Sequence, residues 1–126
     1  MAISLKNAAA AVVAYVQYRV DGVVTLFQGP SHSDMAKDQL SIRSDAPVRT
    51  RTQYGSRRSS IKLVTTVPVA NPDGTSEQKD MKFEISTSVP VGVTSALVKE
   101  SIARIAALAA NEQLMLDITV SGKTQF

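Results

Sequence analysis

The 126-residue sequence contains no cysteine. Disulfide bonds, thiolate metal sites and cysteine nucleophiles are therefore excluded, and the chain is compatible with a reducing compartment. Long hydrophobic runs are also lacking, since the uncharged apolar stretch at residues 8–16 is too short to span a bilayer. The sequence has no internal repeat and no low-complexity linker. With 44% hydrophobic residues, we expect a single folded domain over residues 1–126.

The residue types from which catalytic and metal sites are built are scarce. His32 is the only histidine, and its neighbours Ser31 and Asp34 lie on a stretch where adjacent side chains point apart, unlike a catalytic triad. The six glycines form no phosphate-binding loop motif. A carboxylate cluster for a metal is an alternative, with these members: Asp34, Asp38, Asp73, Glu77 and Asp80. We favour the interpretation that they are solvated loop residues, and we predict no catalysis, no metal and no cofactor.

Positive charge is concentrated in one stretch of the chain. Residues 43–62 hold six cations and a single acid, Asp45, which leaves eight cations and ten acids elsewhere. The net charge of +3 is modest, so its position carries more information than its size. A local concentration of cations favours an anionic partner such as nucleic acid.

Two runs within this stretch alternate with the two-residue period of a β-strand. The first is residues 48–53, and the second begins near residue 59. The side chains predicted to share one face are Arg49, Arg51 and Gln53 on the first strand, and Ser60 and Lys62 on the second. Neighbouring strands of this kind would form a basic platform for a polyanion, although an ordinary solvated face is the alternative. Between them we predict a turn that contains Arg57 and Arg58, where solvation or contact with a neighbouring subunit is nearly as good an explanation as RNA contact.

Turn residues bound the other predicted strands. An Asp-Gly pair at positions 21 and 22 predicts a β-hairpin over about residues 8–29. A sheet is predicted over about residues 37–90, with strands at 39–43, 48–53, 59–69 and 81–89 and a loop at 70–79. The last strand alternates apolar with polar residues, which is typical of a sheet with one dry and one wet face.

The C-terminal region changes to a helical period. Thr94 is a candidate N-cap, the first helix is predicted from Ser95 to about Ala110, and Asn111 separates it from a second helix at about 112–120. The predicted apolar stripe of the first helix consists of Leu97, Val98, Ser101, Ile102, Ile105, Leu108 and Ala109. Strands followed by helices indicate an α+β protein with helices on one face of an antiparallel sheet. Two short helices cover only part of such a sheet, so we expect an obligate dimer.

In order and length, these elements resemble the coat proteins of single-stranded RNA bacteriophages, the levivirus-like family. The most specific stretches are residues 57–64 and 81–85, followed by the helix from Thr94. The resemblance implies an N-terminal β-hairpin, a five-stranded antiparallel sheet and two C-terminal helices that interlock with a second subunit. It also implies a virion protein that assembles in the bacterial cytoplasm into an icosahedral capsid, packages single-stranded genomic RNA and can repress translation through an RNA hairpin. Neither a membrane nor a small-molecule substrate is expected, and the alternative is a dimeric RNA-binding regulator that forms no shell.

By position, the resemblance assigns RNA contacts on the inward sheet face to Arg49, Arg51, Gln53, Ser60, Lys62, Lys82 and Glu84. The loop at residues 70–79 resembles the loop that gathers around the symmetry axes of the family's shells. Better-known members stack an RNA base on an aromatic residue of the last strand, whereas this chain has Asp80, Lys82 and Glu84 there. We therefore expect phosphate binding to be kept and the familiar hairpin specificity to differ.

Overall fold

A computed structural model of the chain describes residues 2–125. The chain divides into two units, Met1–Pro90 and Val91–Phe126. The first unit is a six-stranded sheet in chain order, with strands β1 Ala2–Lys6, β2 Val12–Asp21, β3 Val24–Gln28, β4 Asp38–Asp45, β5 Ser56–Ala70 and β6 Ser76–Pro90. The second unit contains the helices α1 Ser95–Ala110 and α2 Glu112–Thr119. The α+β class is confirmed, with six strands, whereas the single domain stays a prediction.

The predicted Asp-Gly hairpin is formed by β2 and β3. Asp21 pairs with Val24, which leaves Gly22 and Val23 as a two-residue turn. Gly22 has a φ of 59°, a left-handed conformation that glycine adopts without the steric penalty of a Cβ atom. On the outer side of this hairpin, β1 pairs with β2. The sequence prediction missed β1.

The predicted strand at residues 48–53 is wrong, because residues 46–55 form a loop between β4 and β5. Within it, the Thr50 backbone N–H donates to the Gln53 carbonyl at 2.8 Å, and the Gln53 N–H donates to the Thr50 hydroxyl at 3.2 Å. Gly55 has a φ of 82°, and a Cβ atom there would lie 2.2 Å from the Val48 carbonyl oxygen. The segment cannot pair with β5 as predicted, because both sides of β5 are already paired, to β4 and to β6.

The two strands that flank the predicted 70–79 loop, β5 and β6, are longer than predicted. Because β5 begins at Ser56, Arg57 and Arg58 lie in a strand and not in the predicted turn. The predicted loop at 70–79 shortens to residues 71–75, and Ser76 already belongs to β6. The hydroxyl and backbone N–H of Thr75 both donate to Asp73, and these bonds lower the pKa of Asp73.

The strand register sorts side chains onto two faces, because directly opposed residues of antiparallel strands point the same way. One face, which we call the apolar face, carries Phe27 of β3, Leu40 and Ile42 of β4, Ile61 and Leu63 of β5, and Met81, Phe83 and Ile85 of β6. The opposite face, which we call the polar face, carries Gln39, Ser41 and Arg43 of β4, Arg58, Ser60 and Lys62 of β5, and Asp80, Lys82, Glu84 and Ser86 of β6.

Only one half of the apolar face is covered within residues 2–90. Its buried core consists of Tyr15, Phe27 and Leu40, with Ile3 and Val13 packed against it. The register shift between Gln17 and Arg19 marks a bulge, and bulges increase the local twist and bend of a strand. The bulge lies between the part of β2 that pairs with β1 and the part that leads to the hairpin turn. The other half of the apolar face, on β5 and β6, remains exposed.

A buried hydrogen bond joins β2 to β4 beside this core. The Tyr15 hydroxyl donates to the Asp38 carboxylate at 2.8 Å, and Asp38 Oδ2 also accepts the Ser31 backbone N–H at 3.4 Å. A Cβ atom at Gly29 would lie 2.2 Å from Asp38 Oδ2, so the absence of a side chain at Gly29 leaves space for the carboxylate. Burial, and then the hydrogen bond to Asp38, raise the pKa of Tyr15 to about 12.

This pair predicts a loss of stability in alkali. Since the folded-state pKa of Tyr15 is raised from 10.0 to about 12, its contribution to stability is complete below about pH 10 and disappears as the pH rises to about 12. In a spectroscopic titration of phenol ionisation, Tyr15 should give a late step near pH 12. Tyr15→Phe should remove the late step and lower the free energy of unfolding by about 1–3 kcal/mol, because Asp38 loses its buried donor. Tyr18→Phe is the control, and an unchanged late step in Tyr15→Phe would contradict the assignment.

Both helices match their predicted positions. Thr94 occupies the N-cap position of α1, but its side chain makes no capping hydrogen bond. Asn111 ends α1 and starts α2, and its side chain accepts the Leu114 backbone N–H at 3.2 Å. Neither helix has a buried residue, and Ile102 and Ile105 of the predicted stripe are 61% and 50% exposed. The predicted apolar stripe is therefore present on α1, and none of its side chains is buried.

Candidate nucleic-acid interface

The polar face brings together four of the predicted RNA-binding residues, Ser60, Lys62, Lys82 and Glu84. Lys62 is directly opposite Glu84 of β6 and Ser41 of β4. Ser60 is opposite Ser86 on one side and Arg43 on the other. Lys82 lies opposite Val64, one polar-face position further along. The period-two argument that grouped these residues is thus correct for β5 and β6.

The cations of the polar face differ in how far carboxylates already neutralise them. Lys62 Nζ lies 3.9 Å from Glu84 Oε2, and Arg43 Nε lies 3.2 Å from Asp45 Oδ1. Among residues 2–125, Arg58 and Lys82 form no ion pair. An exposed ion pair is worth little and can be exchanged for a phosphate contact. Arg58 and Lys82 can bind a phosphate without first breaking an ion pair.

A shallow concavity of about 440 Å³ lies at the end of the polar face nearest the 46–55 loop. It is lined by Arg43, Asp45, Arg58, Ser59, Ser60, Glu84, Ser86, Thr87 and Ser88. Guanidinium groups and hydroxyls are suitable donors for phosphate and ribose oxygens, and arginine can bind phosphate through two parallel hydrogen bonds. This arrangement suits a nucleic-acid backbone better than a small apolar ligand.

At the opposite end of the polar face, one carboxylate, Asp80, lies close to two cations, Lys37 and Lys82. The Thr66 hydroxyl donates to Asp80 at 2.8 Å, and Lys37 Nζ lies 3.6 Å from the same carboxylate. The Thr66 hydrogen bond, and then Lys37, lower the pKa of Asp80. An ionised carboxylate therefore stays beside Lys82 near the 71–75 turn. This carboxylate therefore compensates part of the positive charge of Lys37 and Lys82.

The other three predicted site residues do not lie on the sheet. Arg49, Arg51 and Gln53 belong to the 46–55 loop, where they line a separate small depression of about 120 Å³ together with Tyr54. The strand that precedes β5 in the chain and pairs with it is β4. The row of polar side chains beside Ser60 and Lys62 on that side therefore comes from Gln39, Ser41 and Arg43. The resemblance had assigned that place to the loop residues. The predicted basic platform therefore exists on β4 to β6, with different cations.

Sequence reasoning missed two cations of this face, Arg43 and Arg58. The sequence places Arg58 in a predicted turn. Arg58 lies two residues before Ser60, however, so a strand that begins a few residues earlier puts its side chain on the same face as Ser60 and Lys62. Arg43 was recognised as basic and as part of a short strand. Its face became identifiable only through the register that places it opposite Ser60.

The candidate catalytic and metal groups do not form a site. His32 Nδ1 accepts the Asp38 backbone N–H at 3.3 Å, which is a structural contact. Asp38 itself is buried against Tyr15 and is not a loop residue. Within residues 2–125, no group of three or more histidine or acidic side chains is arranged to hold a metal ion. In the same range, no helix is both long and apolar enough to cross a membrane.

Comparison with known proteins gives matches at the level of structure. No protein-family model and no curated protein matches the sequence. The virus-like particle of Beihai levi-like virus 32 matches with a TM-score of 0.80 and 23% identity, over 90% of this chain and 88% of that one. The virus-like particle of Wenzhou levi-like virus 4 matches with a TM-score of 0.78 and 25% identity, over 94% and 80% of the two chains. The chain has the fold of levi-like virus-like particle proteins.

A third match shows that this levi-like fold extends over the whole described chain. The virus-like particle of bacteriophage AVE019 matches with a TM-score of 0.77 over 99% of this chain and 97% of that one, at 13% identity. All three matched structures are virus-like particles. The comparison therefore supports a structural protein located in a capsid, and it confirms the recognised coat-protein resemblance.

Proposed function

We propose that the chain is a capsid protein whose dimers assemble into a closed shell around single-stranded RNA. The observation that carries this proposal is the levi-like fold, with TM-scores of up to 0.80 to virus-like particles. Two features of the chain itself support it. Apolar surfaces are left exposed on the sheet and on α1, and the other face of the sheet carries Arg58 and Lys82, which form no ion pair among residues 2–125.

The uncovered apolar surfaces support a homodimer. On β5 and β6, Ile61, Phe83 and Ile85 are 44%, 42% and 47% exposed. The stripe of α1 is a second apolar surface of the kind that packs on a sheet. A monomer rarely exposes contiguous apolar surface of this extent, whereas obligate dimers bury it. In the proposed dimer, the α1 stripe of each subunit covers the β5–β6 half of the partner's apolar face, so the helices interlock.

The polar face supports RNA packaging. Once the apolar face is covered by the partner, the polar face is the remaining large surface of the sheet, and we propose that it looks into the shell. Arg58, Lys62 and Lys82 would then neutralise phosphates and reduce the repulsion that opposes packing a genome, with Ser60 donating hydrogen bonds to the backbone. Glu84 takes part by holding Lys62 in place. Arg49, Arg51 and Gln53 would contact the same RNA from the loop, and the host cytoplasm is the proposed place of assembly.

Expression of the chain alone in bacteria tests the proposal. We expect uniform spherical particles in negative-stain electron microscopy, with nuclease-protected RNA in the same fractions, because the proposed shell needs no other protein. Dimers that bind RNA but form no particles at high protein concentration and low salt would instead indicate the regulator. Particles without protected nucleic acid would contradict RNA packaging but leave the capsid role intact.

A further inference from the structure

The 46–55 loop presents an exposed aromatic ring where the polar face of the sheet offers none. Tyr54 is 61% exposed, and the Arg49 guanidinium carbon lies 5.1 Å from the centre of its ring. We propose that Tyr54 is a stacking site for an unpaired nucleobase of single-stranded RNA, with Arg49 and Arg51 holding the adjacent phosphates. This inference rests on the proposed RNA-binding function and assigns to it a contact of a different kind from phosphate neutralisation.

The loop holds this ring in a defined place. Two hydrogen bonds close the turn between Thr50 and Gln53. The next residue after Tyr54 is Gly55, whose backbone packs so closely on Val48 that a Cβ atom would not fit. A side chain anchored in this way loses little freedom on binding, which improves affinity without any added contact. The ring is thus presented on a shaped loop and not on a flexible linker.

The charge of the loop suits a single strand of RNA. Residues 46–55 contain Arg49 and Arg51 but no acid. A single-stranded site commonly combines an aromatic platform for the bases with cations that follow the phosphates. Arg49 supplies both, because a guanidinium beside a ring can stack with it and still donate hydrogen bonds from its edge.

The loop also adjoins the basic concavity of the polar face. It begins directly after Asp45 and ends directly before Ser56, and both Asp45 and Arg58 line the concavity. Tyr54 and Arg58 are four residues apart, which is at most about 14 Å of extended chain. One RNA strand could therefore place a phosphate at Arg58 and a neighbouring base on Tyr54. This would replace the aromatic residue that the last strand lacks.

Binding of two matched oligonucleotides tests the inference. The probes are a short oligouridylate and an abasic oligomer with the same number of phosphates, added to the nucleic-acid-free 126-residue chain. The chain should prefer the oligomer with bases, and Tyr54→Ala should weaken oligouridylate binding by about tenfold, or about 1.4 kcal/mol, within the range of about 1–3 kcal/mol for one stacked base. Binding of the abasic oligomer should not change. Tyr54→Phe should retain the preference, because stacking needs the ring and not the hydroxyl.

Tyr18→Ala is the matched control, since Tyr18 is also exposed, at 57%, but lies on β2. Equal weakening by Tyr18→Ala, or oligouridylate binding by Tyr54→Ala at wild-type strength, would overturn the inference while leaving RNA binding itself established. A wild-type chain that binds neither oligomer would overturn the proposed RNA packaging as well. Because the sequence contains no tryptophan, tyrosine emission gives a second readout that does not depend on the alanine variant folding. Oligouridylate should quench the emission of the wild type more than that of Tyr54→Phe, and equal quenching would count against stacking.

Discussion

Ile105→Asp should prevent the chain from forming dimers, and particles should therefore be absent. Ile105 lies in the middle of the α1 stripe and is 50% exposed in the single chain, so an aspartate there would be in contact with solvent before the chain dimerises. In the proposed dimer the same residue is buried against the partner's apolar face, and two-fold symmetry buries it twice. An unpaired buried carboxylate costs several kcal/mol, and each 1.4 kcal/mol is about tenfold in the dissociation constant. Light scattering coupled to size exclusion, together with electron microscopy, measures the result.

Ala103→Asp is the matched control for this prediction. At 100° per residue, Ala103 lies about 160° around α1 from Ile105, and it receives the same new carboxylate. We expect this control to assemble normally. An obligate dimer can lack a stable folded monomer, so Ile105→Asp is expected to yield either a monomer or an unfolded chain. A dimer of wild-type stability would show that the α1 stripe does not form the interface.

The parts of the fold that could be predicted are those fixed by local sequence. The β2–β3 hairpin follows from one residue that tolerates a positive φ, Gly22, between apolar strands. The bounds of α1 follow from its helical period and from Asn111, which ends one helix and caps the next. Such signals act within a few residues, so they are visible without knowledge of distant contacts.

The failures occurred where the outcome depended on distant pairing. Residues 48–53 alternate like a strand, but their arginines and threonines provide no apolar face, and both sides of their predicted partner β5 are already paired with β4 and β6. In contrast, β1 is a real strand because β2 offers a free edge to it. Alternation thus shows that a strand is sterically acceptable. It does not show that a partner exists.

The face on which the candidate side chains lie was predicted correctly where alternation within a strand sufficed and incorrectly where the strand register was needed. Ser60 and Lys62 share a face, and so do Lys82 and Glu84, because each strand alternates. The pairing of Lys62 with Glu84 then places all four on the same face. The neighbouring row could not be assigned in this way, since only the pairing of Arg43 with Ser60 identifies β4 as its source. The sequence does predict that part of the apolar face is exposed in a single chain, because the two helices are too short to cover a sheet of this width.

Arg58→Ala combined with Lys82→Ala should cause the largest loss of RNA affinity among double substitutions on the polar face. These two cations form no ion pair among residues 2–125, so removing them leaves no carboxylate without its partner. Each phosphate contact contributes about 0.7 to the slope of log affinity against log salt for single strands, so the slope should fall by about 1.4. For purely electrostatic contacts, extrapolated to no effect at 1 M salt, that corresponds to a roughly 65-fold loss at 50 mM salt and a roughly tenfold loss at 200 mM. Titration of the nucleic-acid-free chain with RNA at several salt concentrations measures both quantities.

The chain provides a charge-matched control on the same two strands. Arg57 is adjacent to Arg58 on β5, and Lys79 is three residues before Lys82 on β6, but both lie on the opposite side of the sheet. Arg57→Ala combined with Lys79→Ala removes the same net charge, so any effect of total charge appears equally in the two double variants. The control should keep most of the wild-type slope, because its cations do not face the RNA. Equal loss in both variants would mean that RNA responds to the overall charge of the subunit, and the polar face would then have no special role in packaging.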